Sequence, residues 1–179
     1  MKKFIQIRVK VPINDLQVIN LNGKIKSVTQ LSYLAEEKFG VVEKIKLKIE
    51  NEDFGKNHEK KFNLNGNLSN RLLTSSNGDL YSSTTYNYNK KNQLTQMEIK
   101  YASRDAKNIW KYYYDIKGNI ILETITNEGE NNFSQTNYNY DNNNNLIFKI
   151  NYNRDGSFSF SDRYEYDIKG NKILSESSY

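Results

Sequence analysis

Tyr86, Tyr112, Tyr138 and Tyr164 follow one another at a constant interval of 26 residues, and the words around them recur: YNYNKKNQL, YYYDIKGNI, YNYDNNNNL and YEYDIKGNK. A fixed period of this length marks a repeat architecture, in which each unit buries its apolar surface mainly against its neighbours. The repeat constrains the fold before any single residue does.

Each unit carries two turn signals. The first is an Asp/Asn-x-x-Gly/Asn block: Asn89 to Asn92, Asp115 to Gly118, Asp141 to Asn144 and Asp167 to Gly170. Asp and Asn side chains bond the backbone two residues on and start turns, while Gly and Asn tolerate positive φ and finish them. The second signal falls half a unit later, at Ser76-Asn77-Gly78, Arg104-Asp105, Asn127-Glu128-Gly129 and Arg154-Asp155-Gly156. Asn-Gly and Asp-Gly pairs are strong hairpin signals. Between turns the pattern has period two. Trp110, Tyr112 and Tyr114 share one parity, as do Leu146, Phe148, Ile150 and Tyr152, which reads as strand. The expected fold is all-β: an antiparallel meander of hairpin repeats forming one long, twisted or curled sheet.

The period reaches back. FNLNGNL from Phe62 matches the tyrosine word if two turn residues are lost, so that Phe62 and Leu64 replace the tyrosines, and INLNGKI from Ile19 repeats that shortened form. One domain spans residues 1–179, with 1–60 as an atypical first unit and 61–179 as the repeats. The segment Ala35–Gly40 is expected to form a helical turn, and Ile5, Ile7, Val9 and Val11 alternate like a strand.

The Tyr-x-Tyr-Asp-x-x-Gly-Asn word at this spacing resembles the YD repeat of the RHS family. It also resembles the short YD-like repeat proteins of Bacteroidetes-type bacteria, as does the stretch GKIKSVTQLSYLAEEKFG. The short proteins imply an exported or surface location. The large RHS proteins imply a second role, in which the repeats enclose or chaperone another polypeptide.

With no cysteine, the chain has no disulfide, no thiolate metal ligand and no thiol nucleophile. No cofactor is implied, and no run of residues is apolar enough for a transmembrane helix. The opening MKKFIQIRVKVP is basic but has no apolar signal core. As given, the chain reads as cytoplasmic; with a signal peptide removed, it reads as periplasmic or surface-borne. Net charge is +5, and residues 1–60 hold 12 of the 26 basic residues against 8 of the 21 acidic ones.

That excess supplies one candidate site. Lys44, Lys46 and Lys48 alternate with Ile45, Leu47 and Ile49, and Lys24 and Lys26 repeat the spacing. Such a row could meet an anionic lipid or glycan, although a solvated face that blocks edge pairing is the commoner use of such a pattern. Acidic neighbours Glu43 and Glu50 argue against specific nucleic-acid binding. Tyr113 is the second candidate, because its parity sets it apart from the periodic tyrosines. His58 lies among charged residues with no triad or metal partner at a recognisable spacing. The turn aspartates lack a calcium-loop pattern. The expected function is a non-enzymatic binding or scaffold module with a protein or glycan partner and with self-association through sheet edges. A glycan-active enzyme with a tyrosine-lined face is the alternative, and it would require two carboxylates converging in a pocket.

Overall fold

The computed structural model describes residues 15, 21, 23–31, 33–39, 41–46, 57–75, 77–129 and 132–179. The strand alternation expected at Ile5–Val11 lies outside them. The elements are strands: β1 (Ser27–Gln30), β2 (Tyr33–Lys38), β3 (Val41–Lys46), β4 (Asn57–Phe62), β5 (Leu68–Thr74), β6 (Leu80–Tyr88), β7 (Leu94–Tyr101), β8 (Lys107–Tyr114), β9 (Ile120–Asn127), β10 (Asn132–Tyr140), β11 (Leu146–Asn153), β12 (Phe158–Tyr166) and β13 (Lys172–Ser178).

β1 and β4–β13 form one eleven-stranded sheet, with β4–β13 in sequence order and β1 beside β4. All pairs are antiparallel, as the alternating strands and tight turns predict. β1 and β13 are the ends of the order and are not paired with each other, so the sheet is open. β2 and β3 form a separate two-stranded sheet.

Two expectations are corrected. The helical turn expected at Ala35–Gly40 is instead, over Ala35–Phe39, the end of β2 and the tip of the β2–β3 hairpin, with Phe39 at φ 53°; Gly40 lies outside the described residues. The β-branched pair Val41-Val42 folds back against Glu37 and Lys38, and that pairing overrides the helix-forming Ala-Glu-Glu-Lys run. The second correction concerns alignment. Phe62 pairs with Leu68 as Tyr88 pairs with Leu94, and Asn63 builds the turn that Asn89 builds. The unit at Phe62 therefore keeps the full 26-residue period with no deletion. Phe62 stands for the second tyrosine of the word, and Leu64 is a turn residue.

Each hairpin closed by an Asp-type turn contains a bulge at one place: before Phe62, Tyr88, Tyr114, Tyr140 and Tyr166. Tyr113 opposes Leu122 while Tyr114 opposes Ile120, leaving Ile121 as the extra residue. The bulge shifts parity, so Ile120 faces the same side as Glu123 and Ile125 rather than Leu122, and Leu146 is likewise separated from Phe148 and Ile150.

The sheet is thin. Among the described residues, Phe62 and Ile109 are the buried apolar ones, at 7% and 9% exposure. Small polar residues on the tyrosine face, Ser82, Thr84, Thr136 and Asn151, are also buried, and the Asn151 amide donates to Thr136 Oγ1 at 2.8 Å. A deep core is replaced by a row of cross-strand contacts, repeated unit by unit.

Candidate functional site: the turn rim and its tyrosine clamps

The second tyrosine of each word spans two units. Tyr88, Tyr114, Tyr140 and Tyr166 donate their hydroxyls to the carbonyls of Leu68, Leu94, Ile120 and Leu146, at 2.8, 2.6, 3.0 and 3.0 Å. Donor and acceptor are 20 residues apart every time. The acceptor is the first strand residue after the preceding Asp-type turn, beside the bulge. The first tyrosines are less uniform: Tyr138 donates to Glu123 Oε2 at 2.7 Å, and Tyr164 donates to Asp162 Oδ2 at 3.1 Å. Burial pushes the phenols of Tyr112, Tyr114 and Tyr140 up, and Glu123 beside buried Tyr138 raises that phenol further. Asp15 reaches into the first unit, accepting the Leu68 N–H at 2.6 Å and lying 3.4 Å from the Tyr88 hydroxyl.

The Asp-type turns repeat one geometry. Asp115 Oδ1 accepts the Asn119 N–H at 2.8 Å, its Oδ2 accepts the Asn119 side-chain amide at 3.0 Å, and the backbone bond from Asp115 N to Asn119 O closes the loop at 2.9 Å. Asp141 with Asn145 and Asp167 with Asn171 do the same. These donors hold the carboxyls of Asp115, Asp141 and Asp167 below their usual range.

The fourth turn position alternates along the rim: Gly66, Asn92, Gly118, Asn144, Gly170, all with positive φ. Where it is Asn, the side chain ties neighbouring turns together. Asn67 donates to Asn92 Oδ1 at 2.7 Å, and Asn119 donates to Asn144 Oδ1 at 3.1 Å. Where it is Gly118, Gln93 reaches the backbone carbonyl instead, at 3.4 Å. Asn accepts the left-handed region at modest cost, which makes this substitution for glycine workable.

Between the turns at 115–119 and 141–145 lies an open groove of about 450 Å³, floored by Ile121, Ile147, Tyr138 and Tyr140 and flanked by Asp115 and Asp141. Two carboxylates thus border one groove, but both are committed to their own turns and both are more acidic than usual. A glycosidase acid needs the opposite shift.

The residues expected to bind fall in different places. Tyr113 stands on the opposite face from the clamp tyrosines, 47% exposed and across from Leu122. Lys24 and Lys26 are exposed in the stretch leading into β1 of the large sheet, whereas Lys44 and Lys46 are in β3 of the small sheet. Lys48 lies outside the described residues. His58 is in β4, and its Nδ1 accepts from the Arg71 guanidinium at 3.1–3.3 Å, a structural pairing. Among the described residues no cluster of three or more metal-ligating side chains occurs, and no helix is long and apolar enough to cross a membrane.

No family model and no curated protein matches the chain. Among solved structures, the crystal structure of TcdB2-TccC3-Cdc42 is similar with a TM-score of 0.43 and 17% identity, over 69% of this chain and 8% of that one. That of TcdB2-TccC3 without its hypervariable C-terminal region gives a TM-score of 0.27 and 11% identity, over 84% and 12%. The chain therefore spans only a small fraction of these proteins, and superposition at this level carries no argument about function. The fold rests on the strand order and register of the chain itself.

Proposed function

We propose that the chain is a non-enzymatic β-repeat module that presents a stiff, extended surface to a protein or glycan partner. The observation that carries this reading is how the repeated polar groups are used. The second tyrosines hold neighbouring units together through their hydroxyls, and the turn aspartates are consumed by their own loops. What recurs builds the scaffold, and what breaks the period, such as Tyr113, is left for contact. Lys24 and Lys26, and on the small sheet's side of the sequence Lys44, Lys46 and Lys48, remain further candidate contacts for an anionic partner. Enclosure of a polypeptide would need walls beyond this open sheet.

Protein and glycan arrays probed with the full chain test the proposal. A retained partner whose binding falls at least tenfold with Tyr113→Ala, at unchanged melting temperature, is the expected result. Glycan hydrolysis abolished by Asp115→Asn with Asp141→Asn would replace this reading with the enzymatic one.

A further inference from the structure

The tips of the Asp-type turns hold a pattern that the 26-residue period does not explain. The second turn position is Leu64, Lys90, Ile116, Asn142 and Ile168 in successive units. Aliphatic residues occupy every other turn, and they are fully in solvent: Leu64 at 106% exposure, Ile116 at 93% and Ile168 at 104%. A turn of the Asp-x-x-Gly type makes no demand for an aliphatic residue there, because its hydrogen bonds use the first, third, fourth and fifth positions. The Lys90 and Asn142 turns close equally well without one.

These tips share one rim. The meander brings the turns after β4, β6, β8, β10 and β12 to the same end of the strands. Just inside it, Ile121, Ile147 and Ile173 recur at the bulge, at 41%, 37% and 64% exposure. Lysines accompany the aliphatics: Lys90 and Lys91, Lys117 beside Ile116, and Lys169 beside Ile168, all exposed. Lys117 also lies 3.4 Å from the Asn142 carbonyl of the next turn. Among the described residues, Asp115, Asp141 and Asp167 turn their carboxylates into their own loops, and Asp15 accepts the Leu68 N–H just inside the first of these turns. The opposite rim differs, carrying Asp79, Asp105, Glu128 and Asp155 against Arg104 and Arg154.

We propose that the Asp-turn rim docks on an anionic phospholipid bilayer, seating Leu64, Ile116 and Ile168 among the acyl chains while the neighbouring lysines meet the headgroups. Adjacent turns on the rim are two strands apart, so alternate tips are about 19 Å from one another. Knobs that far apart, separated by polar turns, cannot merge into the central apolar cluster that a protein interface is built around. A bilayer offers apolar depth and negative charge continuously along its plane, so it accepts spaced knobs with interleaved lysines wherever they fall. Tyr113 lies beside one of these turns, but the aliphatic tips recur at Leu64 and Ile168, away from it, and do not depend on it.

The chain has no cysteine, so single labels can be placed freely. The full chain is mixed with phosphatidylcholine vesicles with and without phosphatidylserine. Ile116→Cys carries an environment-sensitive dye, and Ser103→Cys carries it on the opposite rim. The expected result is a blue-shifted, brighter signal from position 116 alone, with phosphatidylserine vesicles only, and at least a tenfold loss of vesicle partitioning for the triple variant Leu64→Ser, Ile116→Ser, Ile168→Ser at unchanged circular dichroism. Phe39→Ser, which removes the exposed tip of the β2–β3 hairpin, should leave partitioning unchanged. Partitioning that survives the triple variant, or that is lost with Phe39→Ser or with reversal of Lys44 and Lys46, would overturn the proposal. So would a concentration-dependent dimer, abolished by the triple variant, with no vesicle binding.

Discussion

The Tyr114 hydroxyl donates to the Leu94 carbonyl at 2.6 Å, tying the hairpin β8–β9 to β7, the second strand of the hairpin before it. Tyr88, Tyr140 and Tyr166 repeat that relationship with Leu68, Ile120 and Leu146. The acceptor carbonyl belongs to the residue that resumes pairing after each turn, beside the bulge. One hydroxyl per unit thus supports the place where the ladder is weakest.

Removing the hydroxyl alone should therefore be measurable. Tyr114→Phe keeps the ring and loses one hydrogen bond, at a cost of about 1 kcal/mol. Tyr114→Phe combined with Tyr166→Phe, two units apart and without shared partners, should cost nearly the sum of the singles. Urea denaturation checks both. Unchanged midpoints for the single and the pair would show that the ring, and not the clamp, is what the repeat retains.

Conformation at the fourth turn position gives a second expectation. Gly118 sits at φ 97°, where a β-branched side chain is strained, and a Cβ there would meet Gln93 Nε2 at 3.1 Å. Gly118→Val should destabilise by about 1–2 kcal/mol. Asn92→Gly should cost less, under about 1 kcal/mol, because relief of backbone strain offsets the lost bonds from Asn65 and Asn67. Thermal melts of the two variants should rank in that order.

The turn carboxylates make stability depend on acid. Asp115, Asp141 and Asp167 have folded pKa values below the ordinary 3.8. A depressed carboxyl contributes stability above its unfolded pKa and loses it as pH falls through the folded one. The melting temperature should hold above about pH 5 and fall as pH drops below the ordinary carboxyl range. Asn63 and Asn89 already build the same turn without charge. The triple variant Asp115→Asn, Asp141→Asn, Asp167→Asn should therefore fold and show a shallower fall in melting temperature between pH 5 and pH 2. An undiminished slope would place the acid-sensitive groups elsewhere.

Much of the fold was legible because period and turn chemistry agreed. The Asp-x-x-Gly words named the turns, and the positive φ of Gly118 and Gly170 follows from that geometry. The bulge before Tyr114 was not legible, because it leaves the spacing of apolar residues intact and shifts only which side Ile120 faces. The deletion assigned at Phe62 arose from matching Leu64 to a tyrosine by hydrophobicity, although Asn63 held the turn position at the full period. The hairpin at Tyr33–Lys46 was obscured by Ala-Glu-Glu-Lys, whose local helix preference yields to cross-strand pairing.

The site was less legible than the fold. Tyr113 was separable by parity alone, and the structure leaves it exposed. The first tyrosines open the repeated words, yet the second ones hold the uniform partner. A contact across 20 residues is invisible to a search for local motifs. The alternation of Gly and Asn at positions 66, 92, 118, 144 and 170 was in plain view, but its meaning required the neighbouring turn's amide.

One tyrosine per unit clamps that unit to the one before it, and through-space proton contacts in solution, measured by isotope-edited NMR, report on that clamp. Contacts are expected from the rings of Tyr88, Tyr114, Tyr140 and Tyr166 to Leu68, Leu94, Ile120 and Leu146, with slow exchange of the hydroxyl protons. Rings that show no contact 20 residues back, or hydroxyls that exchange as freely as that of an unstructured tyrosine, would contradict it.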